Sequence, residues 1–83
     1  MYRVQLVDEV VAALEAMPPP LLTAFAELRV ALELSPSDLG RPYSPTTLTG
    51  LRVAVIGDES TAFVVFGVIE RDRVVTVVEV TYL

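Results

Sequence analysis

The second half of the chain divides into three apolar runs, residues 51–56, 62–69 and 74–80, with short polar gaps between them. Runs of this length, rich in valine and isoleucine and bounded by Gly, Asp and Ser, read as strands. Parallel neighbours need a crossover of about a dozen residues or more. Neither gap is that long, so the three runs must form an antiparallel meander. The middle run, 62–69, is apolar on both faces and is expected at the centre of the sheet. In 51–56 the alternation puts Arg52, Ala54 and Ile56 on one face and Leu51, Val53 and Val55 on the other.

The first half supplies the cover. Residues 2–7 alternate, with Val4 and Leu6 opposed to Arg3 and Gln5, as in a half-buried strand. Asp8 is the expected N-cap of a short helix, and Glu9 favours its first turn. Val10, Ala13, Leu14 and Met17 form its apolar face. Pro18-Pro19-Pro20 ends that helix and opens the next. There, Leu21, Phe25, Leu28 and Leu32 recur at helical spacing. Leu22 and Val30 fall off that stripe, as scattered surface residues or as a ridge for a partner. Residues 35–50 read as a long loop with Gly40-Arg41-Pro42-Tyr43 at its centre. The expected class is therefore α+β, in the order β-α-α-β-β-β: one domain, residues 1–83, with two helices packed on one face of an antiparallel sheet.

Composition removes several chemistries. The chain has no cysteine and no histidine, so disulfides, thiolate sites and imidazole catalysis are excluded. Its net charge is −5, which argues against a general nucleic-acid binder. Hydrophobic residues make up 53% of an 83-residue chain. Either they all serve its own small core or some are covered by a second chain. No stretch approaches the roughly 20 apolar residues of a membrane span, and the start lacks a signal-peptide pattern. A cytoplasmic protein with no membrane association is expected, and no metal or cofactor.

No serine has a histidine to activate it, and the four glycines are isolated. Arginine and tyrosine remain. Arg52 and Arg41 can hold a phosphate through paired donors. Tyr43 and Tyr82 can stack on a base or donate a hydrogen bond. Arg52, Arg41 and Tyr82 are the catalytic candidates, and Tyr43 the substrate-binding candidate.

Several segments together carry a family resemblance: Tyr2-Arg3-Val4-Gln5-Leu6, Leu32-Glu33-Leu34-Ser35-Pro36, Gly40-Arg41-Pro42-Tyr43-Ser44-Pro45, Gly50-Leu51-Arg52, and the closing residues 65–70 and 77–83. With this element order, the chain resembles the RelE/ParE superfamily of toxins from type II toxin–antitoxin pairs, in a short, actinobacterial-type branch. The resemblance implies neutralisation by an antitoxin that wraps the toxin. It also implies either ribosome-dependent mRNA cleavage or, in ParE-type members, inhibition of gyrase without hydrolysis.

The ribonuclease pattern is depleted here. That pattern has basic residues on the strand after the helices, Tyr-Arg on the next, and a basic residue at the end of the last. Arg52 matches the first basic position, whereas Ala54, Ala62-Phe63 and Tyr82-Leu83 stand at the others. Loss of one transition-state contact can cost roughly 3–4 kcal/mol. Three functions therefore compete: a toxin acting on ribosome-bound mRNA, a non-enzymatic ParE-like toxin, and a degenerate module that binds an antitoxin or forms a homodimer.

Overall fold

The computed structural model describes residues 1–42, 50–57 and 61–82. Its elements are β1 (Arg3–Leu6), α1 (Asp8–Glu15), α2 (Pro19–Leu34), a 3-10 turn (Pro36–Asp38), β2 (Arg41–Pro42), β3 (Leu51–Ile56), β4 (Ala62–Ile69) and β5 (Val74–Tyr82). Both helices begin close to the expected places. Asp8 is the first helical residue of α1, and Val7 occupies the cap with no side-chain bond. Pro18 caps α2, with prolines in its first turn, where a missing N–H costs nothing.

The sheet order is β1-β5-β4-β3-β2. The last three strands form the antiparallel meander, and β4 lies at the centre, as the double-sided apolar run requires. The sheet as a whole is mixed, because β1 pairs parallel to β5, Val4 opposite Val75. The two helices between β1 and the meander provide the long crossover that parallel pairing needs. The stretch expected as loop also folds in part. Gly40 turns with φ 63° and leads into β2, which pairs with β3 through Arg41–Val53 and Pro42–Arg52.

One face of the sheet carries the core. Val10 and Met17 of the first helical segment and Leu21, Phe25 and Leu32 of α2 pack on Val4, Ala54, Ile56, Val64, Phe66, Val75 and Val77. Leu14 and Leu28 border that cluster. Leu22 and Val30 are exposed, as their off-stripe positions predict. Burying each large aliphatic or aromatic side chain contributes about 1.5–3 kcal/mol.

A register shift interrupts the β4–β5 ladder. Val65 pairs with Glu79, but the next residue, Phe66, pairs with Val77. Val78 is therefore the extra residue of a bulge. The bulge reverses the alternation along β5. Val75 and Val77 meet the helices before it, and Val80 and Tyr82 meet them after it.

Candidate functional site

The structure separates the residues singled out in the sequence. Arg52 pairs with Pro42 on one side and Phe66 on the other, toward the end of the sheet nearest the β4–β5 turn. Tyr82 pairs with Ala62 at the opposite end. Four residue steps along β4 separate these levels, about 13 Å, with two strand spacings, about 10 Å, across the sheet. Arg41 lies opposite Val53, the strand neighbour of Arg52. Consecutive strand residues point to opposite faces, so the register puts Arg41 and Arg52 on different sides. Tyr43 lies outside the described residues.

Arg52 holds two backbone carbonyls and Tyr82 one. Arg52 donates from Nε to the Leu39 carbonyl at 2.8 Å and from an Nη to the Gly40 carbonyl at 3.1 Å. Its strand face is the covered one, shared with Ala54 and Ile56, as the alternation predicts. At the rim of that face its guanidinium pins the chain leaving α2. Gly40 completes the tie, since a Cβ there would stand 2.2 Å from the Val53 carbonyl oxygen. The Tyr82 hydroxyl donates to the Ala16 carbonyl at 2.9 Å and closes the end of β5 onto the end of α1. Without the bulge, the alternation would carry Tyr82 to the other face.

A different set of side chains does converge. The Glu70 carboxylate accepts hydrogen bonds from the Tyr2 and Ser37 hydroxyls. The Arg73 guanidinium lies 5.9 Å from the centre of the Tyr2 ring, within the range of cation–π attraction. The Ser37 hydrogen bond, then that of Tyr2, holds the Glu70 carboxyl below its ordinary value. The same carboxylate raises the Tyr2 phenol, because the hydrogen bond needs the phenolic proton. This polar clasp joins the N-terminus, the chain after α2 and the β4–β5 turn.

Beside the clasp a pocket of about 260 Å³ opens to solvent. Pro42, Leu51 and Val68 give it apolar walls, and Ser37, Arg52 and Glu70 give it polar groups. Sequence reading placed Glu70 in a turn and Tyr2 in a strand, without linking them. The partners lie 68 and 33 residues from Glu70, and no local pattern reports such a pairing.

Among the described residues no helix packs on the far side of the sheet, where apolar side chains stand beside the exposed Glu79 and Thr81. Val55, Phe63, Ile69 and Val78 are exposed. Val65 is buried among them at the centre of the sheet.

Comparison with known proteins gives one clear likeness of fold. No family model and no curated protein matches the sequence. A chain of the archaeal RelE–RelB complex from Pyrococcus horikoshii superposes with a TM-score of 0.71 at 24% identity, over 98% of this chain and 93% of that one. The α+β fold expected from the element order is thus the fold of that chain.

Proposed function

We propose that this chain is the toxin-like member of a two-protein toxin–antitoxin pair and that it acts by binding other proteins. The observation that carries this reading is the likeness over nearly the whole of both chains to a chain from a complex named RelE–RelB. The exposed apolar side chains of the far face fit it. Val55 of β3, Phe63 and Ile69 of β4 and Val78 of β5 are exposed, and apolar groups left on a surface together favour an interaction site. Cytoplasmic action accords with this reading. Among the described residues no helix is long and apolar enough to cross a membrane.

Translation inhibition through mRNA binding or cleavage is the second reading. Arg52 favours it, because only part of its guanidinium is bonded to the chain. The separation of Arg52 from Tyr82, the opposite placement of Arg41 and the net charge of −5 weigh against it. Expression of the chain in a bacterium, with and without the product of the adjacent gene, tests both. Growth arrest relieved by a co-purifying neighbour, with mRNA intact, is the expected result. Growth without arrest and no complex with the neighbour would refute the pair. Rapid cleavage of ribosome-bound mRNA, lost in an Arg52→Ala, Arg41→Ala variant, would establish the second reading instead.

A further inference from the structure

Two opposite charges share a pocket without pairing. Among the described residues the ion pair within bonding range is Arg71–Asp72, so Arg52 and Glu70 stand apart although both line the same cavity. Each is held by something else. Backbone carbonyls of Leu39 and Gly40 fix Arg52, and the hydroxyls of Tyr2 and Ser37 fix Glu70. A surface arginine and glutamate with free side chains would close on each other at little cost. Here the anchors hold the two beyond ion-pair range on the wall of one pocket.

The chemistry of a guest follows from the vacant valences. Each Glu70 oxygen accepts one hydrogen bond and retains a second lone pair. Arg52 uses Nε and one Nη, which leaves the other Nη to donate. The guest must bring a cation or strong donor to Glu70, an acceptor to Arg52, and an apolar stem to lie along Pro42, Leu51 and Val68. A basic residue within a polypeptide brings all three: its charged head, its own backbone carbonyl and its methylenes. Guanidinium suits the site better than ammonium, because its planar donors match a carboxylate.

Charge on the two helices favours the same partner. Asp8, Glu9 and Glu15 of α1 and Glu27 and Glu33 of α2 outnumber the single helical base, Arg29. That surface attracts a cationic segment and repels a phosphate backbone.

We propose that the pocket between Arg52 and Glu70 receives an arginine side chain from a basic segment of a partner protein. This rests on the proposed function only in taking the partner to be a protein, and its test needs no identified partner. The full chain, labelled with nitrogen-15, is titrated with N-acetyl-arginine methylamide at millimolar concentration and, separately, with the norleucine analogue and with guanosine monophosphate. Saturable shifts of the Gly50, Leu51, Val68 and Glu70 amides with the arginine compound alone are expected. Glu70→Gln should weaken that binding at least about tenfold, as befits a charge-assisted contact. If Glu70→Gln does not fold, Glu70→Asp, which retracts the charge by one methylene, must weaken it measurably. No saturation, equal binding by norleucine, or unchanged binding in the folded Glu70 variant would overturn the proposal. Stronger shifts with the nucleotide would overturn it in favour of a nucleic-acid ligand. Failure here leaves a neighbour-gene complex standing, and failure of that complex leaves an arginine pocket standing.

Discussion

Phe63 and Phe66 occupy the same strand three residues apart and live in different environments. Phe66 is fully buried beneath the helices, while Phe63 is 39% exposed on the far face. Both faces of β4 are equally apolar in sequence. One is apolar because the helices must pack on it. Among the described residues no helix covers the other, so the helix-packed core gives no reason for its Phe63, Val55 and Ile69. That asymmetry makes the helix-covered face the source of stability and leaves the other face as the candidate surface for association.

The largest test of this contrast is Phe66→Ala. It should destabilise the domain by about 3–5 kcal/mol, close to the whole stability of a small fold. Chemical denaturation followed by circular dichroism would show it. A variant melting within a degree or two of the parent would mean the covered face is not the core.

Gly40→Ala probes the rim of the covered face. The added methyl would meet the Val53 carbonyl, and alanine at φ 63° is strained. A loss of about 2–3 kcal/mol is expected, with β2 detached from β3. Hydrogen exchange at Val53 should rise with it. Unchanged protection there would place the strain elsewhere.

A smaller effect is expected from the Tyr2–Ser37–Glu70 clasp, which is exposed. The folded-state value of Glu70 is lowered from 4.5, so its contribution is present above the ordinary glutamate range. It is lost as pH falls through the lowered value. Tyr2 is raised from 10.0, so its contribution is present below that value and lost as pH rises through the higher one. Melting temperature against pH should therefore sag at both ends, and Glu70→Gln should flatten the acid limb. An acid limb identical in the variant would assign it to other carboxylates.

Phe63→Ser should change the stability of the isolated chain least, by roughly 0.5–1 kcal/mol. Its expected effect is on assembly. Light scattering with the adjacent gene product should show a weakened complex. Full-strength assembly would remove this face from the partner interface.

Much of the fold was legible because its signals are local. The two helical stripes, the triple proline and the double-sided run 62–69 each state their own structure. The site was much less legible. The alternation places Arg52 beside Ala54 and Ile56 and makes it a candidate phosphate ligand. It does not reveal that two carbonyls from the chain after α2 take its Nε and one Nη. The Glu70 clasp was missed because a glutamate in a turn looks like any solvated acid until its partners arrive from residues 2 and 37.

The sequence by itself determined the class of fold, the order of its elements and the central place of β4. Periodicity and connection length suffice for these, because a helix or hairpin satisfies its backbone from nearby residues. Only the tertiary structure decided that β1 enters parallel to β5, that a bulge at Val78 turns Tyr82 toward α1, and that Arg52 and Glu70 are held apart across one pocket. Each of these depends on which distant strand supplies the next hydrogen bond. That choice is made by the packing of the whole sheet against its helices, and no short stretch of sequence contains it.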